Sequence, residues 1–474
     1  MLHPKTSFSF SNYTTKYPFI LILCTLALAE YLLGPGILQH GVTLVALIVI
    51  GTLLKLKIST RKNIYIVNFA CYKHSSNMIT RDELIAKFNQ IFDEEAVSFH
   101  RKMFEKSGVM DNVYLPCSYD EFPPEFRFNG SRKEMETVVI GAIDALLRAE
   151  STPVDVVENV GILIVNTSTF NPTPSLSDTI VNYFKLRSDI LSYDLGGMGC
   201  SASLIATDLA KQILQVKPNT YALVVSVESV INRFYSGQAN KSMMLTNCLF
   251  RLGGAAILLS NNSSDRSCSK YQLKHVVRTH TGFEDSAFKC VHEEEDENGI
   301  TGVKLSRDLM ASASQSLRSN ITTLGPLVLP ISEQIRYLAN LMQRKVLRMQ
   351  MKAYVPNFKR AFEHFCVHAG GKGILDVMEE RLGLTEWHIE PSRMSLFRFG
   401  NTSSSSIWYE LAYSEAKGRI KENDRIWQIA FGSGFKCNSA VLCALKNSTC
   451  EIVEHGNPWI DEIEQFPVLI ANSK

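Results

Sequence analysis

Two apolar runs dominate the first 62 residues of the chain. They cover residues 18–33 and 37–54, and Gly34-Pro35-Gly36 separates them. A helix that spans a membrane needs about 20 predominantly apolar residues, so the pattern predicts two helices folded as a membrane hairpin. A signal peptide and a hairpin buried in the body of the protein are alternatives. The second apolar run disfavours the signal peptide, which has only one such run.

Basic residues flank this predicted hairpin on both sides. Lys5 and Lys16 precede the first run, and four basic residues lie between positions 55 and 62. By the positive-inside rule, both ends of the hairpin and the rest of the protein face the cytosol. The eleven cysteines are scattered without a CxxC pair, which is typical of reduced cytosolic thiols. The formal net charge of +2 gives no indication of nucleic-acid binding.

From Asn63 onward, short apolar runs alternate with segments of helical spacing. The predicted strands are residues 64–70, 161–165, 221–227, 255–260, 362–367 and 425–430, and a last apolar stretch covers 438–445. The predicted helices are residues 81–104, 133–148, 200–216, 374–382 and 407–416. This alternation predicts an α/β fold.

The spacing of these elements repeats along the body of the chain. Cys200 lies 33 residues after Thr167, and Asn401 lies 33 residues after His368. The repeat predicts two similar α/β halves, residues 63–265 and 266–474, which follow the hairpin of residues 1–62. Equivalent loops of such halves meet near the axis that relates them, so we expect Cys200, His368 and Asn401 to lie close together.

The residues around Cys200 favour nucleophilic chemistry. Gly196, Gly197 and Gly199 precede this thiol and leave room above it. A thiol at a helix N-terminus becomes a better nucleophile, and the N–H groups there stabilise an oxyanion. With a histidine and an amide nearby, the set suits acyl transfer. Alternatively, Cys200 is a small buried side chain, His368 a hydrogen-bonded core residue and Asn401 a helix cap.

Two further motifs leave other chemistry open. His364 and His368 form an H-x3-H pair, which could bind a metal, but no second ligand cluster appears in the sequence. The run from Gly432 through Ser433 to Gly434 could bind a phosphate, but the Lys-Ser/Thr of a Walker loop is missing. It fits better as a turn whose backbone N–H groups face the nucleophile.

Seven blocks of the sequence resemble a known family. They read NTSTFNPTPSLS, GGMGCSASLIATDLAK, NCLFRLGGAAILLSN, NITTLGPLVLP, YVPNFKRAFEHFCVHAGG, RFGNTSSSSIWYELAY and WQIAFGSGFKCNSAV. Together they are similar to the plant 3-ketoacyl-CoA synthases, the membrane-bound condensing enzymes of very-long-chain fatty acid elongation. The resemblance covers nearly the whole chain, from the two apolar runs to about Leu445. It implies the thiolase-like fold that this family shares with chalcone synthases, a duplicated αβαβα arrangement of layers.

The resemblance implies a role for each matching position. Cys200 matches the nucleophile that accepts a long-chain acyl group from CoA. His368 and Asn401 match the pair that binds the thioester oxygen of malonyl-CoA and promotes loss of CO₂. The product would be a 3-ketoacyl-CoA two carbons longer.

Further positions match residues that the family treats as important. His280 and His364 match two additional histidines. The backbone N–H groups of Cys200 and of the Ser433-Gly434 turn match the oxyanion hole.

The resemblance also implies substrates, an oligomeric state, a location and partner proteins for the enzyme. Its substrates would be long-chain acyl-CoA and the co-substrate malonyl-CoA, with no metal or redox cofactor and no nucleic acid. It would form a homodimer in the endoplasmic reticulum membrane, with the catalytic domain facing the cytosol. The reductases and dehydratase of a fatty acid elongase complex would be its partners.

Three positions depart from the family pattern. Phe397 stands where the family usually has a histidine, Thr281 replaces a lysine and His74 replaces a proline. Phe397 removes a polar group four residues before Asn401. Two alternatives therefore stay open: a polyketide-synthase-like enzyme with a different acyl starter, and a weakly active partner within an elongase complex.

Overall fold

A computed structural model of the chain describes residues 62–74, 78–110, 112–114, 128–150, 152, 156–229, 234–448 and 455–468. The chain divides into two units, Met1–Lys62 and Asn63–Lys474. The predicted membrane helices, residues 18–33 and 37–54, lie outside the described residues. Among the helices that are described, none is both long enough and apolar enough to cross a membrane.

Thirteen strands are described. They are β1 Ile64–Cys71, β2 Met78–Thr80, β3 Asn112–Tyr114, β4 Val160–Thr167, β5 Leu191–Gly196, β6 Tyr221–Glu228, β7 Gly253–Ser260, β8 Tyr271–His280, β9 Val291–Glu295, β10 Thr301–Leu305, β11 His364–Val367, β12 Arg425–Gly432 and β13 Lys436–Ala444.

The described α-helices lie between and around these strands. They are Arg81–Phe88, Glu94–Ser107, Phe128–Arg148, Val156–Asn159, Leu176–Phe184, Ala202–Val216, Lys241–Leu249, Asp285–Phe288, Leu309–Val328, Ile331–Lys345, Lys372–Leu382, Glu386–Phe399 and Ser406–Ala416.

Nine of the strands form one mixed sheet in the order β11-β12-β13-β8-β1-β7-β6-β4-β5. The antiparallel pair β1 and β8 lies between two similar sets of strands. On one side come the antiparallel strand β13 and then the parallel pair β12 and β11. On the other side come the antiparallel strand β7 and then three parallel strands, β6, β4 and β5, so this side has one strand more. The boundary predicted at residues 265 and 266 falls between β7 and β8, so each predicted half supplies one side of the sheet.

The buried apolar side chains of the described residues form three clusters, and alternate residues along a strand face different clusters, as the two-residue period of a strand requires. Ile162 and Ile164 face a central cluster that contains the helices Ala202–Val216 and Ser406–Ala416. Leu163 and Val165, between them, face an outer cluster with the helix Phe128–Arg148. In the second half, β12 divides its side chains in the same way between the central cluster and another outer cluster. The result is an αβαβα arrangement of layers with the two helices in the middle.

The structure differs from the sequence-based prediction in local detail. The predicted helix 81–104 is two helices, because Asp93 accepts a hydrogen bond from Ala96 N at 2.8 Å and starts a new helix at Glu94. Strand β5 was not predicted, because its residues are largely exposed and lack an apolar run. The segment from Tyr271 to Lys345, which holds three strands and two long helices, also carried no prediction.

Candidate active site

A cavity of about 490 Å³ lies where loops of the two halves meet. The first half contributes Cys200 and Glu228, and the second half contributes His280, His368 and Asn401. The apolar part of the lining comes from Leu249, Phe250, Phe288, Val291, Val303, Leu305, Leu309, Ile374, Phe431 and Phe435. The cavity therefore combines a few polar groups with a largely apolar wall, as small-molecule sites commonly do.

Cys200 lies on the turn between β5 and the helix Ala202–Val216. Gly197 and Gly199 adopt positive φ angles of 66° and 73°, and Ala202 N donates to Gly199 O at 2.9 Å. Cys200 is half-buried, two residues before a helix whose N-terminal N–H groups carry partial positive charge. This position favours an anionic sulfur or oxygen atom.

His368 follows the end of β11 and is fully buried in the wall of the cavity. Its backbone N–H donates to Ile429 O at 2.9 Å, and its Nδ1 atom lies 2.7 Å from the Ser406 hydroxyl. Burial lowers the pKa of His368 from 6.5 to about 4, so the imidazole is neutral at physiological pH. When the Ser406 hydroxyl donates to Nδ1, the proton of the ring is on Nε2.

Two hydrogen bonds fix the side chain of Asn401. Its Oδ1 atom accepts from Ser403 N at 2.8 Å, and its Nδ2 atom donates to Gly370 O at 3.2 Å. An amide nitrogen has two hydrogens, so the second Nδ2 hydrogen is left for another acceptor. Because the oxygen is engaged by the backbone, Asn401 presents the cavity with a donor.

Glu228, at the end of β6, connects the two halves beside the cavity. Its carboxylate accepts hydrogen bonds from Ser168 N at 3.0 Å and from the Thr169 hydroxyl at 2.9 Å. It also accepts one from the Ser403 hydroxyl at 3.1 Å. Ser403 N donates to Asn401 Oδ1. By binding the Ser403 hydroxyl, the Glu228 carboxylate therefore also fixes the loop that orients the Asn401 amide.

The turn Gly432-Ser433-Gly434 joins β12 to β13 and lies against the Cys200 loop. A Cβ atom on Gly199 would come within 2.5 Å of Ser433 N, so only glycine permits this approach. Gly434 has a positive φ of 78°, and Lys436 Nζ donates to Ser433 O at 2.7 Å. The turn is thereby held next to Cys200, with its backbone lining the cavity.

The contact between these loops predicts different effects for two glycine substitutions. Gly199→Ala and Gly197→Ala both place a side chain at positive φ, at a cost of about 1–2 kcal/mol. Only Gly199→Ala also displaces Ser433, because Gly197 has nothing within 4 Å of its Cβ position. We expect about a hundredfold loss of kcat for Gly199→Ala, since a misplacement near 1 Å costs about that much. Gly197→Ala, the control, should lower Tm by less than Gly199→Ala, because it has the positive-φ cost without the clash, and should lower kcat by about threefold at most. Equal losses of kcat would contradict this geometry.

His280 lies at the end of β8 and lines the cavity. Its Nδ1 atom accepts from Gly282 N at 3.1 Å. Partial burial lowers its pKa, and the neighbouring cations Lys436 and Arg278 lower it further. The ring is therefore neutral at pH 7 and, with Nδ1 accepting, carries its proton on Nε2.

His364 does not line the cavity. It begins strand β11, whereas His368 follows the end of the same strand, and four residues of strand span roughly 13 Å. His364 Nε2 lies 2.8 Å from Asp424 Oδ2, and burial lowers its pKa. The two histidines therefore cannot bind one metal ion, and within the described part of the chain no group of three His, Cys, Asp or Glu side chains is arranged to hold one.

Glu228 and Ser406 were not predicted as site residues, although both act on residues that were. Glu228 ends a buried apolar strand, where an acidic residue needs several donors to be stable. That position could have singled it out. Ser406 is the last serine of the run that follows Asn401, and nothing in the run distinguishes it from its neighbours.

Solved structures share this fold. The chain matches 1,3,6,8-tetrahydroxynaphthalene synthase, a type III polyketide synthase of Streptomyces coelicolor, with a TM-score of 0.63 and 17% sequence identity, covering 81% of this chain and 99% of that one. A fungal type III polyketide synthase matches with a TM-score of 0.60 and 17% identity, covering 80% and 99%. These likenesses show the thiolase-like α/β fold class that the sequence predicted for the body of the chain.

Sequence comparison identifies the family within that class. A family model described as FAE1/Type III polyketide synthase-like protein matches residues 56–346, and one for the C terminal of 3-oxoacyl-[acyl-carrier-protein] synthase III matches residues 359–443. The chain is 56% identical to 3-ketoacyl-CoA synthase 2 of Arabidopsis thaliana, covering 87% of this chain and 79% of that protein. It is 54% identical to 3-ketoacyl-CoA synthase 11 of the same plant, covering 85% and 79%. The chain belongs to the 3-ketoacyl-CoA synthase family, which confirms the resemblance.

Proposed function

We propose that this condensing enzyme of very-long-chain fatty acid elongation uses Cys200, His368 and Asn401 to join a long-chain acyl group to a two-carbon unit from malonyl-CoA. Membership of the 3-ketoacyl-CoA synthase family establishes it as an acyltransferase of the condensing type. The observation that carries the residue assignment is the cavity itself, in which a thiol from one half meets an imidazole and an amide from the other.

In the first step, the Cys200 sulfur attacks the thioester carbonyl of acyl-CoA. A carbon–sulfur bond forms to Cys200, the bond to the CoA sulfur breaks, and CoA leaves with the proton that Cys200 gave up. In the tetrahedral intermediate between these two events, the carbonyl oxygen carries a negative charge. Backbone N–H groups of Cys200 and of the Ser433-Gly434 turn would stabilise this oxyanion. The N-terminus of the helix Ala202–Val216 adds favourable electrostatic potential at the same point.

In the second step, malonyl-CoA loses CO₂, and the electron pair of the broken bond goes into an enolate of the remaining acetyl thioester. Neutral His368, with its proton on Nε2, and the Asn401 amide donate to the enolate oxygen. The enolate carbon then attacks the acyl group on Cys200 and releases the thiolate. A neutral imidazole suits this role because it donates a hydrogen bond at pH 7, and its lowered pKa keeps it neutral.

The apolar wall of the cavity fits a long acyl chain. Phe288, Val291, Val303, Leu305 and Leu309 lie together on the segment that follows β8 and line the cavity. Burial of methylene groups against such a wall contributes roughly 0.8 kcal/mol for each group. The chemistry above balances with malonyl-CoA as co-substrate, so no metal or redox cofactor is part of the proposal.

We also propose a membrane location, a homodimer and partner proteins for this enzyme. Very-long-chain acyl substrates partition into membranes, which supports an endoplasmic reticulum location with residues 1–62 as the anchor and the active site on the cytosolic side. Strand β5 lies at the end of the sheet with Leu191 and Tyr193 exposed, an edge that a second copy could extend into a homodimer. A 3-ketoacyl product requires reduction and dehydration next, so the reductases and dehydratase of an elongase are the expected partners.

Product analysis tests the proposed function against the polyketide alternative. The full-length protein would be expressed in yeast microsomes and supplied with a long-chain acyl-CoA and malonyl-CoA labelled at C2. The proposal predicts a linear 3-ketoacyl-CoA, longer by two carbons and labelled once. A product that carries several labelled units or is cyclised would show polyketide synthesis instead.

Phe397 does not stand in the cavity, which bears on the alternative of a weakly active partner. Its ring packs against Phe466 at a centroid distance of 6.4 Å, and its backbone carbonyl accepts from Met110 N at 2.7 Å. We therefore expect Phe397→His to change the condensation rate by less than about threefold, as for substitutions outside the reacting geometry. The measurement is the initial rate with matched amounts of wild type and variant. A gain of tenfold or more would show that Phe397 limits catalysis.

A further inference from the structure

The helix Ile331–Lys345 has its polar side against the protein and its apolar side outward. Glu333 is only 1% exposed, and its carboxylate accepts from the Tyr354 hydroxyl at 2.6 Å, from Asn357 N at 3.0 Å and from Arg360 Nη1 at 3.0 Å. Asn340, on the same side, accepts from Tyr354 N at 3.0 Å. A helix on a water-exposed surface normally has the opposite orientation.

The outward side of this helix is a continuous apolar stripe. Ile331, Ile335, Leu338 and Met342 recur at intervals of four, three and four residues, which places them on one face. Their exposed fractions are 74%, 59%, 48% and 60%. Exposed apolar residues continue after the helix at Val346, Leu347, Met349, Met351 and Val355. So large an apolar surface marks a contact with an apolar partner.

Cations surround this stripe. Between Gln334 and Phe362 the sequence contains seven Lys or Arg residues and no Asp or Glu. Arg336, Arg344, Lys345, Arg348 and Lys352 are exposed. The one carboxylate of the helix, Glu333, is buried and paired with Arg336 and Arg360. The face is therefore both apolar and net positive.

The combination of an apolar stripe and surrounding cations limits which kind of partner this face can bind. A second copy packed on the same face would bring two sets of these cations together, because a twofold interface uses the same patch twice. The phosphates of a nucleic acid would satisfy the cations but leave the apolar stripe in water. The interface of an anionic phospholipid bilayer satisfies both, with the apolar side chains among the acyl chains and the basic side chains at the head groups.

We propose that the helix Ile331–Lys345 and the basic segment after it lie in the surface of an anionic phospholipid membrane, as a contact additional to residues 1–62. The helix does not cross the bilayer; it lies parallel to it. This contact fixes which side of the catalytic body faces the membrane.

Site-specific photocrosslinking in the full-length protein tests the proposal. Leu338 is replaced by p-benzoylphenylalanine, and the protein is reconstituted in vesicles of phosphatidylcholine with phosphatidylserine. The matched control carries the same group at Val216, which is 80% exposed on the helix Ala202–Val216. A quadruple variant, Arg344→Gln, Lys345→Gln, Arg348→Gln and Lys352→Gln, tests the cations. Condensation activity and Tm show that each protein is folded.

We expect a lipid adduct at position 338 at least about tenfold more abundant than at position 216. The quadruple variant should lower the adduct at 338 by at least about tenfold, since each of the four cations contributes about fivefold to binding before screening reduces the product. An adduct between two protein chains at 338, no adduct there, or equal lipid adducts at both positions would overturn the proposal.

Discussion

Cys200→Ala abolishes both acyl transfer and condensation, with an expected loss of kcat of about six orders of magnitude, as when the covalent nucleophile of a serine protease is removed. Cys200 is the one cysteine among the described residues that line the cavity, so no other side chain there can form a thioester. The measurement is product formation from acyl-CoA and labelled malonyl-CoA in microsomes. Undiminished condensation would rule out Cys200 as the nucleophile.

A second cysteine gives the matched control for this variant. Cys443 is also half-buried, lies on β13 and does not line the cavity. Its thiol makes only long contacts to backbone carbonyls, at 3.9 Å. Cys443→Ala should leave condensation within about twofold of wild type, since such substitutions away from a site are usually tolerated. If both alanine variants lose activity together, damage to the fold rather than loss of the nucleophile explains the result.

His368→Gln separates the two steps of the reaction. The variant retains Cys200 and its helix, so labelled acyl-enzyme should still form when acyl-CoA is supplied alone. Condensation should fall by about 10²–10³-fold, because one preorganised donor to the enolate oxygen is lost. The two measurements are the amount of acyl-enzyme and the rate of CO₂ release from malonyl-CoA. Loss of acyl-enzyme together with condensation would show that His368 also activates Cys200.

His364 is the matched control for His368, because it begins the strand that His368 follows. His364→Gln removes the contact with Asp424 at 2.8 Å and touches no group in the cavity. Its effect should therefore appear mainly in stability, as a lower Tm. The rate of CO₂ release should stay within about tenfold of wild type, the size of an indirect effect. A loss as large as that of His368→Gln would place His364 in the reaction after all.

The positions of the site residues could be predicted because small-residue loops interrupt the pattern of strands and helices. Cys200 and Asn401 both lie on the loop before a central helix, and the spacing from the preceding strands is the same in the two halves. The repeat therefore predicted that one cavity would contain both. His364 was included as a site residue through the family resemblance, although the predicted strand 362–367 contains His364 and ends before His368.

Other features depend on tertiary contacts that a local pattern does not contain. The role of Glu228 rests on donors from residues 168, 169 and 403, which are far apart in the sequence. The edge strand β5 is exposed, so it has no apolar run. The helix Ile331–Lys345 has ordinary amphipathic spacing, and only the structure shows that its apolar face points outward.

The mass of the peptide that contains Cys200 shows whether this residue carries the acyl group. Wild-type enzyme is incubated with a long-chain acyl-CoA without malonyl-CoA, quenched in acid and digested, and the peptide that contains Cys200 is analysed by mass spectrometry. We expect this peptide to gain the mass of one acyl group, and malonyl-CoA added before the quench to remove that group. An acyl group on another residue, or an unmodified Cys200 peptide in an enzyme that turns over, would contradict this expectation.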